Sequence, residues 1–314
     1  MDGLPTSLVH SVVVGNGRTY EAAGVSLAMA GSVVDRLRSA VESTGAHGFG
    51  GFAGLHPLDD RRLLAASTDS IGTKPIVARP RGALRACGAD MAAHCINDVI
   101  TTGAEPLILL DYVGASHVDL EEVAELVDGA AEVCRAAGVA LVGGETAELP
   151  GVYREGELDF AATCVGIVDR ARLIDGSAVR AGDSVIGLGS AGVHANGFTL
   201  VRSILEEEEY DGPDLLAPTR LYLEAVRDLR DRASAFAHVT GGGIEGNLSR
   251  VLRDHLRAEI DWESWERPPV FEWLGRHVDE VEARRVFNLG IGFCAVVSEV
   301  SADDPPVIGR IVRA

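Results

Sequence analysis

The stretch Ser67-Thr68-Asp69-Ser70-Ile71-Gly72-Thr73-Lys74 decides how the chain is read. It follows a short apolar run, Leu63 to Ala66, that reads as a strand, so an acid, hydroxyls, a glycine and an ammonium arrive together at a strand end. Lys74 is the single lysine; the chain counts 28 Lys plus Arg, and every other one is arginine. Lysine offers a compact ammonium on a flexible stem, suited to one phosphate oxygen, whereas arginine offers a wide planar fork. Beside Asp69, Gly72 and Thr73, Lys74 is a candidate phosphate ligand.

Working outward, three further segments share this character: Asn97-Asp98 with Gly103-Ala104-Glu105-Pro106, Gly143 to Glu148, and Thr240 to Gly243. Glycine turns let a backbone approach a ligand and offer N–H groups to phosphate oxygens. Acids and amides beside such turns suit a Mg²⁺–phosphate site, because Mg²⁺ takes oxygen ligands. Singly, each has a plain reading: Asp69 as a turn cap, Asn97 and Asp98 on a wet helix face, Glu145 as a loop acid. Four together argue for a nucleotide site.

The bulk composition bounds the rest. A chain of 314 residues with 46% hydrophobic content supports one large or two ordinary domains. A net charge of −19 disfavours nucleic acid and anionic membrane surfaces as partners, though not a Mg²⁺-bridged nucleotide. The five cysteines are widely spaced with no CxxC pair, which points to reduced thiols in a cytoplasmic protein. No apolar run reaches the roughly 18 residues of a membrane span, and Met1 to His10 lacks a signal-peptide pattern.

Periodicity predicts helices over Ala22–Val41, Gly88–Thr102, Asp119–Ala137, Gly197–Glu209, Pro218–Leu229 and from the His238–Gly243 turn to about Leu252. Strands are expected at Leu63–Ala66, Pro106–Val113, Val139–Val142, Asp159–Val168, Ser184–Leu188 and Gly292–Ser298, the third ending in a turn at Gly143-Gly144-Glu145-Thr146. The order lacks a regular βαβ rhythm, so the expected class is α+β in two domains, residues 1–170 and 171–314, divided in the polar Arg170–Gly182 stretch. Gly187-Leu188-Gly189-Ser190-Ala191-Gly192 matches GxGxxG, but the second strand and ribose-binding acid of a dinucleotide fold are missing. The loop after it carries His194, between two glycine-rich stretches, while His94 and His238 lie beside the candidate segments.

Taken in order, these segments resemble the aminoimidazole ribonucleotide synthetase (phosphoribosylformylglycinamidine cyclo-ligase) family. The stretches Gly143-Gly144-Glu145-Thr146-Ala147-Glu148-Leu149-Pro150-Gly151-Val152-Tyr153 and Leu215-Leu216-Ala217-Pro218-Thr219-Arg220 distinguish it from the related selenophosphate synthetases and thiamine-phosphate kinases. The resemblance implies an N-terminal ATP/Mg²⁺ domain whose mixed sheet pairs across a homodimer, a C-terminal substrate-side domain, and ring closure of a small ribonucleotide at the expense of ATP. Asp69 and Asp98 would hold Mg²⁺; Asp69, Gly72, Thr73, Lys74, Asn97, Gly143, Gly144, Glu145 and Thr146 would lie at ATP. His194, Asn196, Thr240, Gly241, Gly242 and Gly243 would bind substrate, with His194, Lys74 and Asp98 catalytic. Ser70 stands where the family usually has glycine, Ala191 and Ala195 where it has serines, and His94 where it has an apolar residue, often Met. These departures keep open a paralog that activates a different amide or acid.

Overall fold

The computed structural model describes residues 18–46 and 49–314. Two five-stranded sheets organise them. The first takes β1 (Gly54–Pro57), β2 (Arg62–Ser70), β3 (Glu105–Ala115), β4 (Ala140–Glu148) and β5 (Leu158–Asp169) in the order β1-β2-β5-β3-β4. Only β3 and β4 run parallel, so the sheet is mixed. The second takes β6 (Ser184–Gly189), β7 (Ala233–His238), β8 (Leu256–Ile260), β9 (Ile291–Val297) and β10 (Val307–Arg313), all antiparallel, in the order β7-β9-β6-β10-β8. The helices are α1 (Leu27–Glu42), α2 (Lys74–Ala78), α3 (Leu84–Ile100), α4 (Leu120–Ala137), α5 (Phe198–Leu205), α6 (Leu223–Leu229), α7 (Gly243–Ser249), α8 (Pro269–Gly275) and α9 (Glu280–Val286).

The α3 helix is the axis of the molecule. Met91, Ile96 and Ile100 pack on Ala65, Leu109 and Phe160 of the first sheet, and the same apolar cluster continues into Ile186, Phe236 and Phe293 of the second. A helix with a sheet on both sides is buried all round, which is why its polar residues Asp90, His94, Asn97 and Asp98 are buried as well. The α4 helix flanks it so closely that a Cβ on Gly88 would sit 1.8 Å from the Leu126 carbonyl oxygen, and one on Gly129 2.0 Å from that of Arg85. As its sequence signals predict, α4 is capped by Asp119, whose carboxylate accepts from the Glu121 and Glu122 N–H groups, and ends at left-handed Gly138.

Several elements depart from expectation for local physical reasons. Gly143 to Thr146 is strand rather than turn: β4 pairs along β3 through Glu148, with an irregularity opposite Leu109/Leu110 where Gly143 takes φ 141°. The helix expected from Pro218 begins only at Leu223, because Asp90 and Asn97 of α3 bind the non-helical backbone of residues 219–222. Strands β1, β7, β8 and β10 were not legible by periodicity. The GxGxxG segment ends β6 between antiparallel partners β9 and β10, not in a parallel dinucleotide-binding unit. Ser70, which stands where the family usually has glycine, carries no left-handed strain, since the only non-glycine residues with positive φ among those described are His194 and Leu289.

Candidate active site

Three acid–base pairs follow one face of α3, contributed at i, i+4 and i+8 by Asp90, His94 and Asp98. Lys74 Nζ lies 2.6 Å from Asp90 Oδ2, His94 Nε2 lies 2.9 Å from Asp69 Oδ2, and His238 Nδ1 lies 2.9 Å from Asp98 Oδ1. The α3 helix supplies the middle row, β2 brings Asp69, the start of α2 brings Lys74, and the end of β7 brings His238 from the second sheet. Alternation along β2 buries Leu63, Ala65 and Ser67 toward α3 and therefore turns Asp69 the same way.

Electrostatics differ along the row. Burial opposes charge on His94, yet its hydrogen bond and attraction to Asp69 prevail and raise its pKa to about 9. Burial also disfavours the Asp69 carboxylate, but His94 outweighs it and holds the group below the usual carboxylate range. His238 goes the other way: burial depresses it, only partly offset by its bond to Asp98. Asp98 Oδ2 accepts from Ser67 Oγ at 2.9 Å, so its second oxygen is also fixed.

Lys74 receives a different partner from the phosphate expected of it. It is fully buried, ion-paired to Asp90, and donates to the main-chain oxygens of His194 (2.8 Å) and Ala217 (3.3 Å). Asn97 is likewise committed to backbone, donating to Arg220 O at 2.8 Å and accepting from Tyr222 N at 3.0 Å. Both residues therefore tie α2 and α3 to the loops of the second half of the chain. Gly72 and Thr73 form the turn into α2, where Thr73 Oγ1 meets Thr199 Oγ1 at 3.0 Å.

His194 sits on the loop between β6 and α5 at φ 65° and is almost fully buried. Its Nε2 accepts from Ala191 N at 3.1 Å, which assigns the proton to Nδ1, a buried atom without a hydrogen-bond partner. Burial first, then the nearby His238 and Lys74, push its pKa well below the ordinary value, so the ring is neutral. Across from it, Asn247 Nδ2 donates to Thr240 O and Gly243 O and holds the Thr240–Gly243 turn, which Asn196 Oδ1 approaches at Gly241.

Gly143, Gly144, Glu145 and Thr146 do not join this cluster within one chain. Asp69, Ala162, Asp111 and Gly144 occupy one register row across β2, β5, β3 and β4. Three strand spacings put Gly144 about 14 Å from Asp69. Two cavities flank the end of β2. One, about 760 Å³, is lined by Ser67, Thr68, Gly241, Gly242, Asn247 and Arg250; the other, about 750 Å³, by Ser70, Gly72, Thr73, Arg79, Tyr153 and Arg202. The two cavities lie on either side of Asp69 in sequence, one lined by Ser67 and Thr68 and the other by Ser70, and give room for two ligands.

Among the residues that the sequence did not assign, Asp90, His94 and His238 complete the row. The 90/94/98 spacing was a readable signal for one helix face; the partners from distant segments were not. All five cysteines are free and buried, and no helix among the described residues is long and apolar enough to cross a membrane.

A helix held between a mixed and an antiparallel sheet defines a two-domain α+β fold found also in thiamine monophosphate kinase from Aquifex aeolicus. That solved structure has a TM-score of 0.64 at 17% identity, covering 92% of this chain and 96% of its own; another, titled AaThiL complexed with AMPPCP and TMP, has a TM-score of 0.65 at 16% identity over 88% and 90% of the two chains. The chain belongs to the AIR synthase related protein family, matching its N-terminal domain over residues 50–168 and its C-terminal domain over residues 180–304. The phosphoribosylformylglycinamidine cyclo-ligase of Synechococcus sp. (strain CC9605) is 42% identical over 308 residues, covering 90% of this chain and 89% of that protein. The one from Sorangium cellulosum (strain So ce56) is 43% identical over 311 residues, covering 91% and 89%.

Proposed function

We propose that the chain is an ATP-dependent cyclo-ligase that closes the imidazole ring of formylglycinamidine ribonucleotide, giving aminoimidazole ribonucleotide, ADP and phosphate. The observation that carries this is the likeness to cyclo-ligases at 42–43% identity along nine tenths of the chain, through both halves of the site. It disfavours a paralog with another substrate, even with Ala191 and Ala195 replacing the usual serines. An amide oxygen leaves poorly; phosphorylating it creates a good leaving group, and an internal nitrogen then closes a five-membered ring with the advantage of proximity.

In this reading residues 1–170 bind ATP and residues 171–314 supply the substrate side. The T. maritima PurL structure complexed with AMPPCP shares the fold at a TM-score of 0.59 and 17% identity over 82% of this chain and 42% of its own, which is compatible with ATP in one of the two cavities. Asp69 and Asp98 would hold Mg²⁺, since both are oxygen donors beside α3 and Asp69 is 44% exposed on its side chain; the ion would neutralise phosphate charge. Gly72 and Thr73 would line the ATP side. His194, neutral and with a free Nδ1–H, would hydrogen-bond the oxygen leaving the amide, with Asn196 beside it. Lys74 would act on His194 through its carbonyl and its field rather than on a phosphate. Thr240, Gly241, Gly242 and Gly243 would meet the substrate phosphate.

A homodimer fits the open outer face of the first sheet, where Leu107, Leu110 and Val142 are exposed. Pairing there would give Gly143, Gly144, Glu145 and Thr146 a neighbour that one chain lacks. The reaction is placed in the cytoplasm, in keeping with five free thiols. The test is direct: the purified protein, given formylglycinamidine ribonucleotide, ATP and Mg²⁺, forms ADP and the aminoimidazole in equal amounts. ADP formed only with another amide or acid would support the paralog instead.

A further inference from the structure

We infer that the junction of α3 and β7 is a transition-metal site, built from the imidazoles of His94 and His238 and the carboxylate of Asp98, with Asp69 as a fourth ligand. Each of the first three offers one donor atom, and these atoms lie within 4.8 Å of one another. The two rings stand edge to face with centroids 4.7 Å apart. All three residues are buried, so few waters compete for the ion. Ligand separations around a metal with bonds of about 2.0–2.2 Å are roughly 3.3 Å, so small rotations of Asp98 and the rings close the set.

The donor types choose the metal. Mg²⁺ takes oxygen ligands and keeps several waters. Two imidazoles and one or two carboxylates instead suit Zn²⁺ or Co²⁺, with nitrogen donors that Mg²⁺ does not favour. The supporting shell is present: Ser67 Oγ donates to Asp98 Oδ2 at 2.9 Å, and Ser70 N to Asp69 Oδ1 at 2.7 Å, holding both carboxylates in place. Asp69 is the exposed member and forms the way in. The metal would take the place of the hydrogen between His94 and Asp69 and of that between His238 and Asp98, releasing protons as it binds. His94 makes the difference from an all-oxygen site, and it is the residue that replaces the apolar one expected from the family pattern. The site shares Asp69 and Asp98 with the Mg²⁺ proposed for ATP, so a bound transition metal and that Mg²⁺ would exclude one another.

The test uses metal-stripped, full-length protein without nucleotide. Equilibrium dialysis against Zn²⁺ is expected to load one ion per chain, retained against millimolar Mg²⁺. His94→Leu should weaken binding at least ~10-fold, the scale seen when even supporting groups of a metal site are lost, while His277→Ala, on a half-buried histidine paired to Glu208 away from the site, should bind as wild type. Zinc K-edge X-ray absorption on the wild type needs no variant and should give two imidazole nitrogens with oxygen ligands. No bound zinc, unchanged binding in a folded His94→Leu protein, or a shell without imidazole overturns the site. Turnover with Mg²⁺ and ATP on the metal-stripped protein, before zinc is added, reports separately on the cyclo-ligase reading.

Discussion

Replacing Lys74 with Met tests the role of the buried ammonium. Lys74 and Asp90 are both fully buried at 2.6 Å. The substitution keeps most of the stem volume but deletes the cation. Asp90 Oδ1 would keep its bonds from Thr219 N and Oγ1, both 2.8 Å, while Oδ2 would lose its partner. The carbonyls of His194 and Ala217 would lose a donor too. Removing one member of a buried pair costs about 3–5 kcal/mol, because an uncompensated charge remains. Against a typical net stability of about 5–15 kcal/mol, that is easily measured. Urea unfolding followed by fluorescence of Trp262, Trp265 and Trp273 is the assay. Lys74→Met with Asp90→Asn removes both charges, and should recover at least ~1 kcal/mol of the loss, as contacting residues couple. A Lys74→Met protein within ~1 kcal/mol of wild type would refute the clamp and return the ammonium to the phosphates.

Three further outcomes follow from the same geometry. Asp98→Asn keeps the shape of the side chain but removes its charge, and should abolish turnover while far-UV circular dichroism and oligomeric state stay unchanged; wild-type rates would remove Asp98 from the metal. His194 has its pKa depressed in the folded protein, so folding must expel its proton: stability is full above the unfolded value near 6.5 and falls below it by at most ~1.4 kcal/mol per pH unit. Urea melts of His194→Asn, a residue that tolerates its left-handed backbone, should show a shallower acid loss than wild type, and identical slopes would contradict the burial argument. Gly129→Ala would drive a Cβ to 2.0 Å from Arg85 O, forcing α3 and α4 apart at a cost of about 1–3 kcal/mol or more in thermal unfolding.

What the sequence made legible was whatever local chemistry dictates. Asp119 and Gly138 bound α4 as capping residues do, and the apolar run into Asp69 was a strand. The segments carrying acids and glycines were found, and the family pattern joined them. Pairing across the chain was not legible. Nothing near Lys74 indicates that Asp90 would cancel its charge, and nothing near Pro218 indicates that Asn97 would hold residues 220 and 222 out of the helix. Gly143-Gly144-Glu145-Thr146 reads as a turn by composition, and only pairing with β3 makes it a strand. The short strand Ala233–His238 lacks alternation because both its faces are covered, so burial erased the signal that would have revealed it.

Oxygen transfer tests the central claim most directly. Formylglycinamidine ribonucleotide labelled with ¹⁸O in the formyl oxygen, turned over with ATP and Mg²⁺, should place that label in inorganic phosphate, one atom for each aminoimidazole formed, because the oxygen departs bound to phosphorus. Label found in water, or aminoimidazole formed with unlabelled phosphate, would contradict phosphorylation of the amide oxygen and with it the proposed reaction.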